Sequence, residues 1–159
     1  MECLTRSEII GLLSLAVLFV TAIILVWHAH EMKRATYASA FKNVYDMLQD
    51  ESMREARGVV LRELVNKEFK LWSEQEIKMA EKVCHNYDSV AIMVQNGMIK
   101  ESVVADSWGD SLRRCWKILA PLVVSYRLDR NSEEFWDDFQ WLARKAEKYQ
   151  KKVHTGNGK

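Results

Sequence analysis

The sequence predicts an all-α protein in which a single N-terminal transmembrane helix continues into a compact antiparallel helical bundle. Residues 9–27 are nineteen consecutive uncharged and mostly apolar positions, close to the length that crosses the ~30 Å hydrocarbon core of a bilayer. The chain has one proline and six glycines, which is little material for a turn-rich β fold. Beyond the span, apolar residues recur every three or four positions, as on one face of a helix.

The apolar segment is predicted to be a permanent anchor rather than a cleaved signal peptide or a buried soluble helix. Thirteen of its nineteen residues are Leu, Ile, Val or Phe, each favouring insertion by about 0.3 to 0.6 kcal/mol. A signal peptide has a basic start, a shorter apolar region and a cleavage site of small residues. Here two glutamates accompany Arg6, and the polar sequence His28–Glu31 follows the segment.

The charges that flank the span predict its orientation. Lys33 and Arg34 follow it, whereas only Arg6 and the terminal amine precede it, so the positive-inside rule places the C-terminal side in the cytoplasm. Trp27 is expected at the membrane interface, where aromatic residues are enriched. The three cysteines show no CxxC or metal-ligand spacing, as expected of reduced thiols.

Five segments are expected along the chain. A short translocated head of residues 1–8 precedes the transmembrane helix of residues 9–27 and a juxtamembrane helix of residues 28–50. Residues 51–150 should form the cytoplasmic bundle, and residues 151–159 a flexible polar tail. About 130 residues beyond the span suffice for one domain with a single core.

The juxtamembrane helix and the second helix each have a predicted apolar face. The first face either packs onto its own bundle or forms a short coiled coil, and it consists of Tyr37, Phe41, Val44 and Leu48. The second helix is predicted to begin at Ser52, because Ser52-x-x-Glu55 is a capping-box pattern. Its apolar face consists of Met53, Ala56, Val60 and Leu64.

A third helix is predicted to begin at Ser73, where Ser73-x-x-Glu76 repeats the capping-box pattern. It should end at Asn96-Gly97, because glycine readily adopts the left-handed conformation that ends many helices. Its apolar face consists of Ile77, Ala80, Cys84, Tyr87, Ala91 and Val94.

The fourth and fifth helices complete the predicted bundle. The fourth begins near Ser102, and Pro121 should kink it or mark its last turns. The fifth is capped by Asn131 or Ser132 and should fray after Gln150. Their apolar faces consist of Trp108, Leu112, Cys115, Leu119, Leu122 and Tyr126, and of Phe135, Phe139, Leu142, Ala146 and Tyr149.

A set of helix-face residues and a turn glycine between Glu76 and Ala146 points to a known family. The set comprises Tyr87–Ala91, Asn96–Ile99, Trp116, Pro121–Val123, Arg127 and Phe135–Leu142. This stretch resembles an uncharacterised bacterial domain-of-unknown-function family of small proteins with one N-terminal membrane helix and a helical cytoplasmic domain. The resemblance implies no activity. It implies a bacterial setting. Together with the orientation predicted from the flanking charges, this gives an expected location in the inner (plasma) membrane, with the N-terminus outside.

The sequence contains no catalytic motif such as a P-loop, HExxH or GxSxG. His28 and His30 point about 200° apart on a helix, so they cannot chelate one ion. Cys84 lies on an apolar face and should pack as a small hydrophobic residue. A net charge of +1, from 23 basic and 22 acidic residues, disfavours nucleic-acid binding. We therefore expect a protein that is not an enzyme and that uses no cofactor and no metal.

Candidate contact residues lie both in the span and beyond it. Gly11, Ser14 and Thr21 share one helix face that could associate with another helix, unless the hydroxyls bond to their own helix. Arg127 should satisfy helix-end carbonyls or pair with a carboxylate, and a ligand-pairing role stays open. Three tryptophans lie off the main apolar faces and form either core or a partner contact surface: Trp72, Trp116 and Trp136.

These features favour a membrane-anchored helical interaction or accessory module. Its expected partners are the lipid bilayer and either an unknown protein or a second copy of the chain. The alternative is a small membrane effector or pore component that acts by homo-oligomerisation. A membrane-tethered enzyme or ligand sensor ranks third, and helical bundles host all three.

Overall fold

A computed structural model of the protein describes residues 6–156. The described residues contain helices and no strands, which confirms the all-α fold class. The chain divides into two compact units, Met1–Ser39 and Ala40–Lys159. The first helix, α1 (Arg6–Gln49), continues without a break from the predicted span into the segment that follows it, as expected. Cys3 and most of the expected translocated head lie outside the described residues.

The C-terminal unit contains the last ten residues of α1 and four further helices. A π-helical turn (Val60–Leu64) extends the second helix directly, and a 3-10 turn (Phe69–Leu71) precedes the third. The helices are α2 (Glu51–Val59), α3 (Glu74–Gln95), α4 (Glu101–Arg130) and α5 (Asp137–Gly156).

Within this unit, α4 runs antiparallel to both α3 and α5. At the start of α4, Glu101 accepts a hydrogen bond of 2.9 Å from Lys145 of α5. At its other end, Arg127 donates to Gln140, nearer the start of α5, over 3.1 Å. The same reversed order relates α3 to α4 in the pairs Tyr87–Ser111 and Glu81–Tyr126. The most extensive helix–helix interface joins α4 and α5.

The last turns of α1 pack on the bundle of their own chain. Val44 and Leu48 are fully buried, and the ring of Phe41 lies 6.3 Å from that of Trp108. The C-terminal half of the juxtamembrane apolar face therefore packs onto the bundle of its own chain rather than forming a coiled coil. This packing is favourable because it removes apolar surface from water.

Both predicted ends of α3 are confirmed. The Ser73 amide donates to the Glu76 carboxylate over 2.6 Å, and the Glu76 amide donates to the Ser73 hydroxyl over 3.3 Å, which is a complete capping box. Gly97 follows the helix with a φ of +69°. That conformation costs glycine little because it has no Cβ.

Several other helix ends differ from the prediction. Asp50, rather than Ser52, caps α2, since its carboxylate accepts from the Ser52 amide over 3.1 Å. In contrast, Pro121 lies in the last turns of α4, which continues to Arg130, as one of the two alternatives expected. An interior proline removes one helical hydrogen bond, and burial of Leu122 and Val123 helps to hold the following turn in place.

The start and end of α5 also differ. Asn131 does not cap α5 but ends α4, with a left-handed φ of 49°. Residues 131–136 form turns, and α5 begins only at Asp137. At its other end the helix continues past Gln150 to Gly156, and an ion pair of 3.0 Å between Glu147 and Lys151 bridges successive turns there.

Candidate functional site

The N-terminal unit presents an uninterrupted apolar surface. Thirteen large apolar side chains between Ile10 and Trp27 are each between 47% and 72% exposed. None of the most apolar window of this helix is buried. It is the one helix among the described residues that is long and apolar enough to cross a membrane.

The polar groups around this helix are locally satisfied. Ser14 donates to the carbonyl of Ile10 over 2.9 Å, and Thr21 donates to that of Val17 over 2.8 Å. A Cβ added to Gly11 would meet nothing within 4 Å. Within this chain each hydroxyl bonds to its own helix. Association of this face with another helix stays a prediction.

The expected interface residues follow the apolar surface on the same helix. Trp27 is 60% exposed, and its ring lies 5.4 Å from that of His28. Arg34 pairs with Glu31 at 3.3 Å, and Lys33 is exposed. An indole and two cations thus follow the apolar residues in the order that a membrane interface favours.

In the C-terminal unit, Arg127 joins the end of α4 to the turns before α5. Its Nε donates to the carbonyl of Phe135 over 2.9 Å, and its Nη1 donates to Oε1 of Gln140 over 3.1 Å. Its Nη2 is buried without a hydrogen-bond partner among the described residues. The guanidinium therefore has a structural role, because it fixes the turns between α4 and α5 to the end of α4.

The three tryptophans proposed as partner contacts all pack within the chain. Trp72 is 8% exposed and donates to the carbonyl of Lys67 over 3.2 Å. Trp136 is 4% exposed, in a left-handed conformation with a φ of 55°. Trp116 is half-buried, with its ring edge-on to Phe139 at 5.2 Å. In this conformation Trp116 alone of the three keeps appreciable surface for another molecule.

The thiols of this unit lie in a buried polar cluster. Tyr87 and Ser111 share a hydrogen bond of 2.7 Å, and the Ser111 hydroxyl lies 4.0 Å from Sγ of Cys115. Burial raises the pKa of Cys84 well above its ordinary value and that of Cys115 to about 11. Thiols with such pKa values are not nucleophilic thiolates at neutral pH.

No group of three or more His, Cys, Asp and Glu residues capable of holding a metal ion occurs in the part of the chain that the structure describes.

A groove between α4 and α5 is lined by cations whose proximity the sequence does not predict. Its volume is about 240 Å³. Arg113 and Lys117 of α4 line it together with Arg144 of α5, and Trp116 forms part of its wall. The spacing of Arg113, Trp116 and Lys117 places them on one helix face. Only the packing of α5 against α4 brings Arg144 to that face.

Comparisons with known proteins place the chain in a family. A family model described as Domain of unknown function (DUF4760) matches residues 9–146. The match begins at the start of the apolar segment and extends into α5. No curated protein and no solved structure matches the chain. Because the family model covers well over half of the sequence, the chain belongs to the DUF4760 family of domains of unknown function.

Proposed function

We propose that this protein is a single-pass, membrane-anchored helical module that acts through interaction rather than catalysis. The observation that carries the proposal is the exposed apolar surface between Ile10 and Trp27. Soluble proteins rarely expose contiguous apolar patches of more than a few hundred Å². Each large apolar side chain left in water forgoes about 1.5–3 kcal/mol of burial. A bilayer removes that cost for the whole helix.

The absence of burial favours a membrane anchor over a soluble core helix. A core helix of similar length would have much of its apolar surface covered by its own protein, whereas none of the most apolar window here is covered. The charge pattern supports an orientation with the C-terminal unit in the cytoplasm, because Lys33 and Arg34 follow the span and Arg6 alone precedes it. In the bacterial setting that the family resemblance implies, this is the inner membrane.

The C-terminal unit supports an interaction or accessory role. Its thiols are buried and protonated at neutral pH. Its surface includes an open groove between two long helices. The hydroxyls of Ser14 and Thr21 each donate to a carbonyl of their own helix, which satisfies them in lipid without a second helix. An oligomeric pore is the alternative function.

Topology mapping in intact cells tests the proposal. A reporter that fluoresces only in the cytoplasm, fused after Lys159, should be fluorescent. A membrane-impermeant maleimide added from the periplasmic side should label Cys3, and the Cys3→Ser variant is the matched control because Cys84 and Cys115 are buried. Labelling of Cys3 only after lysis, together with a dark reporter, would reverse the proposed orientation.

A further inference from the structure

The groove between α4 and α5 is positively charged. Arg113, Lys117 and Arg144 line it, and Glu147 is the one acidic residue among its lining residues. Glu147 is already paired with Lys151 at 3.0 Å. The pKa of Glu147 is lowered, first by the hydrogen bond from Lys151 and also by the charges of Lys117 and Arg113.

Two of the three cations that line the groove have no hydrogen-bond or ion-pair partner among the described residues. Lys117 and Arg144 are exposed, and neither forms a hydrogen bond or an ion pair with any residue between 6 and 156. Arg113 is held by Asp110 at 3.0 Å and by the carbonyl of Gly109 at 3.3 Å. That anchoring reduces the freedom of its guanidinium, so less conformational entropy is lost when a ligand binds.

A second hollow on the same helix pair carries charge of the opposite sign. This hollow, of about 200 Å³, is lined by Asp106 and Asp110 and by no lysine or arginine. The whole chain carries a net charge of only +1. The cations of the first groove are therefore a local concentration rather than the background charge of the surface.

The number and type of these groups indicate the ligand. A carboxylate carries one charge and two oxygens, which one guanidinium fork can satisfy. Two guanidinium groups and an ammonium exceed that need and match the tetrahedral oxygens of a phosphate group. A phosphate monoester has three terminal oxygens and up to two charges, and a phosphodiester has two terminal oxygens and one charge. Gln140 adds an amide at the edge of the groove, and the half-buried Trp116 offers an apolar wall for the group that carries the phosphate.

We propose that the α4–α5 groove, lined by Arg113, Lys117 and Arg144, binds a small phosphate-bearing anion. The phosphate has two possible sources, a free phosphorylated compound or the headgroup of an anionic phospholipid. Both present terminal phosphate oxygens to the same three cations, and the free compound carries the higher charge. The proposal goes beyond the membrane-anchored role and does not depend on the orientation of the span.

Calorimetric titration of the full-length protein in the phosphate-free detergent dodecyl maltoside tests the proposal. Inorganic pyrophosphate is the probe for a free phosphorylated compound, and glycerophosphoglycerol is the probe for a lipid headgroup. The variant Lys117→Gln/Arg144→Gln removes two exposed charges. The matched control Lys148→Gln removes an exposed charge from α5 outside the groove.

At least one probe should bind, and the double variant should weaken its binding at least tenfold while Lys148→Gln leaves it unchanged. Added salt should weaken binding to the wild-type protein. Binding of pyrophosphate identifies a free compound, whereas binding of glycerophosphoglycerol alone identifies a lipid headgroup. The proposal is overturned if neither probe binds at millimolar concentration. It is equally overturned if the double variant, with a wild-type circular dichroism melt, binds as well as the wild type.

Discussion

Trp136 donates a hydrogen bond from its indole Nε1 to Nδ1 of His85 over 3.3 Å. The two rings meet edge to face at 5.1 Å. The contact fixes the last residue before α5 to the middle of α3, and it requires that Nδ1 of His85 is unprotonated. Trp136 is also held at a φ of 55°, a left-handed conformation that a bulky residue keeps only when its surroundings enforce it.

Replacing His85 with Leu should destabilise the protein by about 0.5–1.5 kcal/mol, because the part-buried indole N–H loses its acceptor. The free energy of unfolding is measured by urea titration in detergent, followed by circular dichroism. A double-mutant cycle with Trp136→Phe should give a coupling of at least about 0.5 kcal/mol. Strictly additive effects of the two substitutions would show that the hydrogen bond does not contribute.

Asp88 provides a second long-range contact to the start of α5. Its Oδ1 accepts a hydrogen bond of 2.9 Å from the backbone amide of Phe139, so a residue of α3 caps α5. Burial raises the pKa of Asp88, because partial desolvation disfavours its charged form. Asp88→Ala should therefore cost about 0.5–2 kcal/mol, the usual range for loss of a cap.

The isosteric substitution Asp88→Asn is the control, because an amide oxygen can accept the same hydrogen bond without a buried charge. Thermal melts should place Asp88→Asn near the wild type and Asp88→Ala clearly below it. Equal losses in both variants would mean that the charge, rather than the cap, is what matters.

These contacts explain which helix ends the sequence could predict. The capping box at Ser73 and the turn at Gly97 depend on neighbours within four residues, and both are confirmed. The start of α5 depends on Asp88 and His85, which lie 51 residues away from their partners. A local sequence pattern cannot indicate such a distant contact. The predicted cap at Asn131 or Ser132 is therefore wrong.

For the candidate sites too, the sequence predicts what depends on local composition but not what depends on contacts between separate helices. The apolar surface between Ile10 and Trp27 follows directly from composition, and the structure leaves it exposed. The burial of Trp72 and Trp136 and the meeting of Arg113 with Arg144 depend on how separate helices pack. Periodicity identifies the face on which a residue lies, but not the residues of another helix that it meets.

Glu76 should make the stability of the protein depend on pH. The hydrogen bond from Lys67, at 2.8 Å, is the main cause that lowers the pKa of Glu76 from 4.5 to about 2. A carboxyl group with a lowered folded-state pKa stabilises the fold above its unfolded-state pKa and loses that contribution as the pH falls. The stabilisation should therefore be complete above pH 4.5 and disappear towards pH 2.

Urea unfolding of the wild type and of Glu76→Gln at several pH values checks this expectation. The difference in free energy should be largest at pH 7 and should shrink between pH 4.5 and pH 2. Lys67→Met should reproduce the same trend, because it removes the partner that lowers the pKa. A difference that stays constant from pH 7 to pH 3 would contradict the assignment.

The core of the C-terminal unit should respond strongly to truncation. Leu119 and Phe139 are fully buried, so their replacement by alanine should cost about 2–5 kcal/mol through lost burial and the cavity left behind. Lys148→Ala, at an exposed position of α5, should change stability by less than about 0.5 kcal/mol. Thermal melts that place the surface variant beside the core variants would disprove the assignment of the core.

Membrane integration of the full-length chain is the most direct test of the proposed function. Leu18 lies near the middle of the apolar segment and is 67% exposed. Leu18→Arg should weaken insertion, because a charge at mid-span costs about 2.5–3.5 kcal/mol, whereas Leu18→Val should behave as the wild type.

The measurement is extraction of cell membranes with alkaline carbonate, followed by immunoblotting of the pellet and the supernatant. The wild type and Leu18→Val should stay in the membrane pellet, and a larger fraction of Leu18→Arg should appear in the supernatant. Release of the wild-type protein into the supernatant to the same extent as Leu18→Arg would contradict the membrane-anchored account.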